Sequence, residues 1–174
     1  MSPESTNYSM QSNITLIGMP GSGKSTVGII AAKYLSLGFI DTDVLIQVNR
    51  HKSLQQIINE SDHLTLRQIE AEEILKLRLE KHVIATGGSA VYSEAAMAHL
   101  RRISTVIFLK VEYAELKKRI HNFKTRGIAK AKGQTFRELF DERQALYNKY
   151  AHMTIECDTL DQEDVAEIVA EKVQ

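Results

Sequence analysis

A short apolar run, Ile14 to Ile17, leads without a break into Gly18-Met-Pro-Gly-Ser-Gly-Lys-Ser-Thr26. Gly18, Gly23, Lys24 and Ser25 match the spacing G-x-x-x-x-G-K-[ST]. The run before them reads as a buried strand over 13–18, and the stretch after them as a helix from Lys24 to Ser36 that ends near Gly38. Gly21 and Gly23 permit a tight curl that turns several N–H groups toward one anion. The helix start adds its positive end. Gly21, Ser22, Gly23, Lys24, Ser25 and Thr26 therefore form a candidate phosphate cradle. Lys24 can reach the outer phosphates of a bound ligand, and the Ser25 hydroxyl can ligate Mg²⁺. The bland alternative is a Gly-rich turn with an exposed lysine.

The rest of the chain alternates. "GFID" reads as a second strand. A helix runs from Val44 to Arg50 and continues through "SLQQIIN". "TLRQIEAEEILKLRLEK" carries an apolar face and acid–base pairs such as Glu72 with Lys76, which fits an exposed helix with one buried side. "HVIATGG" is a third strand, "SEAAMAHL" a helix capped by Ser93, "STVIFLK" a fourth strand and "EYAELKKRI" a helix. "TFRELFDERQALYNKY" is a helix that Thr135 can cap, "MTIEC" a last strand and "DQEDVAEIVAEKV" a closing helix. Strand–helix alternation predicts an α/β fold, a parallel sheet with helices on both faces, and ligands at the carboxyl ends of the strands. Those ends are "GMPGSGKST", "DTD" and "TGGS", so three polar or Gly-rich segments are expected to meet at one rim.

Asp41 and Asp43 lie two residues apart after "GFI". In a strand such residues share a side, so both carboxylates can face the rim. One could hold Mg²⁺ through water, and the other could orient an acceptor hydroxyl for in-line attack. The competing reading makes Asp43 a helix cap. Arg67 and Arg143 are candidates to grip an acceptor carboxylate, since a guanidinium fork matches that shape. A surface ion pair of Arg67 with Glu70 is the alternative. Gly87 and Gly88 allow either close backbone approach to a ligand or a plain tight turn.

Between Lys117 and Lys132 stand Lys117, Lys118, Arg119, Lys124, Arg126, Lys130 and Lys132 with no acid, broken into a loop by Gly127 and Gly133. Phe123 is the lone aromatic, so a lid over a triphosphate explains this island better than a nucleic-acid platform. Arg126 would then meet the transferring phosphoryl group. A GTP switch lacks its N-K-x-D reader, because "NKYA" at Asn148 has no aspartate, and no apolar strand ends in Asp-Glu as in a motor ATPase.

The totals narrow the class further. The 174 residues suit one domain, expected over 13–174 behind a loose tail of 1–12. Lys+Arg and Asp+Glu both number 22, so no global charge invites nucleic acid or a membrane surface. No apolar run approaches the about 20 residues that span a bilayer. The six histidines show no ligand spacing, and Cys157 reads as a small apolar strand residue. A cytoplasmic monomer acting on a small molecule is expected.

The ordered set "GMPGSGKST", "FIDTD", "LRQIEAE", "VIATGG", the basic lid with Arg126, and "ERQALY" resembles the shikimate kinase family from about Asn13 to the closing helix. That resemblance implies a nucleoside monophosphate kinase fold with a five-stranded parallel sheet and a lid over about 120–134. It also implies ATP and Mg²⁺ as cofactors and phosphorylation of the 3-hydroxyl of shikimate. It assigns Asp43 to the acceptor hydroxyls, Arg67 and Arg143 to its carboxylate, Gly87 and Gly88 to its ring, Arg119 to adenine, Arg126 to the lid, and Asp41 to the Mg²⁺ water shell. Ser89 stands where a third glycine is usual, Leu66 and Ile58 where aromatic residues are common, Gly127 where proline follows the lid arginine, and Ala145 where proline is usual. The polar grips persist while apolar walls and lid differ, so another hydroxy acid, a polyol or a nucleotide is an alternative acceptor. A non-catalytic ATP-binding module is the remaining alternative.

Overall fold

In the computed structural model, which describes residues 12–122 and 125–174, the two most apolar runs become the two central strands. β1 (Asn13–Ile17) is buried along its whole length, and β4 (Ser104–Lys110) nearly so. Both faces of such strands need cover, which strand–helix–strand crossovers supply. The other strands are β2 (Gly38–Asp41), β3 (His82–Ala85) and β5 (Met153–Glu156). The order is β2-β3-β1-β4-β5, with every pair parallel. The helices are α1 (Lys24–Leu35), α2 (Thr42–Arg50), α3 (Leu54–Glu60), α4 (His63–Lys76), α5 (Glu94–Ile103), α6 (Tyr113–Arg119), α7 (Phe136–Tyr150) and α8 (Gln162–Lys172). A 3-10 turn covers Ala90–Tyr92.

The expected α/β fold with five parallel strands stands. Ser93 caps α5, and Thr135 caps α7 through a capping box with Glu138. Several ends differ. α1 stops at Leu35 with a left-handed Ser36 as its cap, two residues before Gly38, which opens β2 rather than ending the helix. The helix expected to run through 44–59 is two helices. His51 turns left-handed at φ 52, and Ser53 with Gln56 starts α3 by a capping box. α4 ends at Lys76, short of the expected Lys81. Lys76 pairs with Glu73 at 3.0 Å, while Glu72 reaches Arg50 across to α2 at 3.3 Å, so the expected Glu72–Lys76 pair is not formed. The tail expected over 1–12 and residues Phe123 and Lys124 lie outside the described residues, except Ser12. Cys157, just after β5, is buried, and burial pushes its thiol up to about 12, as suits a packing residue. Among the described residues no helix is long and apolar enough to cross a membrane.

Two apolar clusters result. The main one fills both sides of the sheet. A smaller one gathers Ile46, Leu54, Ile57, Leu66 and Ala129. It joins α2, α3 and α4 to the loop before α7.

One polar side chain pins the base of the sheet. Asn13 is 1% exposed. Its Nδ2 donates to the carbonyls of Leu79 (2.6 Å) and Ile103 (2.9 Å), and its Oδ1 accepts from the amide of His82 (2.9 Å). Removing it strands three backbone groups. We expect Asn13→Ala to lower unfolding stability by about 3 kcal/mol in urea titration, as unmade buried hydrogen bonds cost. A loss under about 0.5 kcal/mol, the size of an ordinary surface change, would contradict this.

Candidate active site

β1 carries the chain to the carboxyl edge, where Gly21 (φ +85) and Gly23 (φ +95) take the left-handed turn that side chains resist. Gly23 precedes α1 with no side-chain cap, so the first amides of the helix are left for an anion. Lys24 is 7% exposed and folds back, donating to the carbonyls of Gly18 and Met19 at 2.8 Å each. Burial lowers its ammonium to about 8, against the pull of Asp43. Gly21, Gly23, Lys24, Ser25 and Thr26 line a cavity of about 420 Å³; Ser22 is buried beneath them.

The acidic pair differs from its expected geometry. β2 ends at Asp41, and Thr42 already begins α2, so strand alternation does not align the two carboxylates. The cap is Asp41 rather than Asp43. Its Oδ1 accepts from the amides of Asp43 (2.9 Å) and Val44 (3.3 Å), and its Oδ2 accepts from the Ser25 hydroxyl at 2.5 Å. The hydroxyl and the carboxylate of a candidate Mg²⁺ site are thus adjacent, an oxygen set that suits a hard cation. Asp43, freed from capping, lines the cavity.

Close approach decides the role of the glycine pair. A Cβ on Gly87 would sit 2.3 Å from Glu70 Oε1 and 2.5 Å from Asp43 Oδ1. One on Gly88 would sit 2.7 Å from Arg143 Nη1. The turn is therefore bare so that two carboxyls and a guanidinium can press against it. The Gly87 amide donates to Thr42 Oγ1 at 3.1 Å, and Tyr147 donates to the Gly88 carbonyl at 2.7 Å. Glu70 is 2% exposed; its Oε2 accepts from Ser89 Oγ, and its Oε1 has no partner. Burial, then the charge of Asp43, raises Glu70 to about 7; burial and Asp41 raise Asp43 to about 6.

The two arginines meet. Arg143, fully buried on α7, donates from Nη2 to the carbonyl of Ala129 at 2.7 Å. Arg67, on α4, reaches the same oxygen at 3.5 Å. Both guanidiniums lie over the ring of Tyr92, at 3.5 Å for Arg67 and 5.4 Å for Arg143. No ion pair among the described residues involves either arginine, so the surface pairing of Arg67 with Glu70 is not made. The Arg67 Nε is buried without a partner. Arg143 lines the cavity, and Arg67 stands behind it.

Arg119 and Arg126 line the opposite side with Gly127. Arg119 is held by Glu115 at 3.1 Å and donates to the Cys157 carbonyl at 3.3 Å. The Gly127 amide donates to Gln55 Oε1 at 3.3 Å, so the segment after Arg126 rests on α3. Leu66 lines the cavity, whereas Ile58 packs on the small apolar cluster behind it. Sequence reasoning missed Glu70, Tyr92 and Ala129. Glu70 lies one turn from Arg67 on the same helix, which was the available signal.

The family model described as shikimate kinase matches residues 20–174. A shikimate kinase from Clostridium botulinum strain Okra is 38% identical over 161 residues, covering 90% of this chain and 94% of that protein. One from Caldanaerobacter subterraneus subsp. tengcongensis is 34% identical over 160 residues, covering 90% and 93%. The chain belongs to the shikimate kinase family. The solved shikimate kinase from Acinetobacter baumannii, in complex with shikimate, superposes with a TM-score of 0.86 at 27% identity, covering 93% of this chain and 92% of that one. Shikimate kinases are ATP-dependent phosphotransferases that act on a hydroxyl group, and this chain is such an enzyme.

A carboxyl raised by burial favours the fold only while protonated. Glu70 supports stability below its usual 4.5, and that support fades as pH rises through about 7. Glu70→Gln cannot ionise. Its Tm relative to the unsubstituted protein should rise between pH 4.5 and 8 by a few degrees, on the order of 2 kcal/mol. A flat difference across that range in thermal melts would contradict a carboxyl buried in this way.

Proposed function

We propose that the protein transfers the γ-phosphoryl group of ATP to the 3-hydroxyl of shikimate. The observation that carries this reading is the pair of guanidiniums, Arg67 and Arg143, gathered at one carbonyl with no carboxylate ion pair among the described residues, Arg143 lining the same cavity as the phosphate cradle. A planar carboxylate is the partner such a fork suits.

The roles follow from the geometry. The amides of residues 21–26 bind the phosphates, and Lys24, held close by the Gly18 and Met19 carbonyls, turns toward the outer ones. Ser25 and Asp41, already joined by a hydrogen bond, would hold Mg²⁺, which would supply neutralisation of phosphate charge. Asp43, against the Gly87 backbone, orients the attacking hydroxyl and accepts its proton. Arg126 faces the transferring group, and Arg119 lies beside the nucleotide base. Gly87 and Gly88 bring the backbone close to the acceptor ring. Water exclusion by the segment from Arg126 to Ala129 protects ATP from hydrolysis. The enzyme acts in the cytoplasm as a monomer.

A second reading, another hydroxy acid, is favoured by the aliphatic wall of Leu54, Leu66 and Ile128, since among the described residues no aromatic side chain lines the cavity for an acceptor ring to lie on. Both readings share the clamp. A panel of hydroxy acids in an ADP-release assay separates them: turnover with shikimate supports the first, and turnover elsewhere but not with shikimate supports the second. Arg67→Ala and Arg143→Ala should each raise KM for the acceptor about a hundredfold, since buried charges lose their partner, while KM for ATP moves less than about threefold. Equal losses for both substrates would contradict the clamp.

A further inference from the structure

Arg126 lines the cavity, and its charge is felt at both Lys24 and Asp43. Its side chain is exposed and makes no ion pair among the described residues. With no carboxylate to hold it, its aim rests on the backbone to either side. Upstream, the Arg126 amide donates to the Asn122 carbonyl at 3.1 Å. Downstream, the Gly127 amide donates to Gln55 Oε1 at 3.3 Å. The other end of that side chain is held in turn. Gln55 Nε2 donates to Asn59 Oδ1, one turn along α3, at 2.9 Å, which leaves the amide oxygen as the atom facing Gly127.

Gly127 suits this contact in two ways. Its φ of +70 is left-handed, where side chains are strained. A Cβ on it would stand 2.5 Å from Leu54 Cβ and 3.0 Å from the Gln55 amide nitrogen, so bare backbone lies directly on the first turn of α3. The proline usual at this position in the family has no N–H to give and keeps φ at about −65°. A proline here could not make the Gln55 bond.

We propose that Gln55 is a positioning residue for phosphoryl transfer: through the Gly127 amide it holds Arg126 in the cavity that contains the phosphate cradle. The inference rests on the role proposed for Arg126 and goes beyond it, since Gln55 does not line the cavity and acts only through the backbone next to that arginine. The two binding halves have anchors of their own. Arg143 holds the Ala129 carbonyl, and the small apolar cluster holds its side chain. The cradle is shaped by Gly21 and Gly23. Loss of the Gln55 tie therefore loosens Arg126 and leaves both substrates bound as before, so it is read in kcat rather than in KM.

The test is a double-mutant cycle on Gln55→Met and Arg126→Ala, reading kcat and both KM values with ATP and shikimate. Gln55→Met keeps the length of the side chain and removes its acceptor oxygen. It is expected to lower kcat about fivefold, the weight of one such hydrogen bond, and to leave KM for ATP and for shikimate within about twofold. In the Arg126→Ala background the same change is expected to have little further effect, because no guanidinium is left to aim. Equal losses in both backgrounds, or an unchanged kcat, overturn the proposal. Trypsin tests the tie with no substrate present: the Arg126–Gly127 bond should be cut about fivefold faster in Gln55→Met than in the unsubstituted protein. An unchanged cleavage rate overturns the proposal. Gln55→Ala serves in both measurements if the methionine variant does not fold. Failure of the proposed reaction gives a different pattern: no shikimate turnover by the unsubstituted enzyme, with the trypsin rate still deciding whether Gln55 holds the segment.

Discussion

Two like charges are held within reach of one oxygen with no anion between them. Arg67 and Arg143 both point to the Ala129 carbonyl and both rest on Tyr92. Such a pair repels itself, and burial adds the cost of stripping water from each guanidinium. A ring face and a single carbonyl offset part of that cost. In the proposed function the acceptor carboxylate offsets the rest. The same logic, with signs reversed, governs Asp43 and Glu70 at Gly87: two carboxyls pressed on one bare turn, each raised by burial and by an acidic neighbour. The site is a set of unmatched charges held close to the backbone, and the proposed function has each completed by a different part of the substrates.

The sheet makes that arrangement possible. Because β3 lies between β2 and β1, the segments after β1, β2 and β3 open side by side on one edge. The phosphate cradle, Asp41 with Asp43, and the glycine turn are therefore neighbours although they lie far apart in the chain. α4 and α7 bring the arginines from opposite sides, and the small apolar cluster with Ala129 ties the loop before α7 to α2, α3 and α4. Ala129, three residues after Arg126, thus accepts from both arginines, and in the proposed clamp the loop before α7 and the acceptor site share that one carbonyl.

Features carried by local chemistry were legible in the sequence. The glycine spacing around Lys24, the caps at Ser93 and Thr135 and the apolar run of β4 each depend on neighbours a few residues away, and each stands where expected. The break at His51 was not legible, because its left-handed residue is neither glycine nor asparagine. Asp41 and Asp43 were assigned to one rim for the wrong reason: alternation along a strand was invoked where a helix had already begun. Tyr92 and Ala129 gave no signal, since a ring under a guanidinium and a carbonyl between two of them exist only after distant elements pack. The surface pair of Arg67 with Glu70, the alternative to the clamp, is not made: Glu70 is bonded by Ser89, which arrives from another turn and which helical spacing does not reveal.

The central claim is that one cavity joins the phosphate cradle to a carboxylate clamp made of Arg67 and Arg143. A crystal structure with ADP and shikimate bound tests it most directly. The expected result has the shikimate carboxylate on N–H groups of both arginines, a ring hydroxyl against Asp43, and the ADP phosphates on the amides of residues 21–26. A carboxylate bound elsewhere, with Arg67 still lying on Tyr92 and unattached to the ligand, would contradict it.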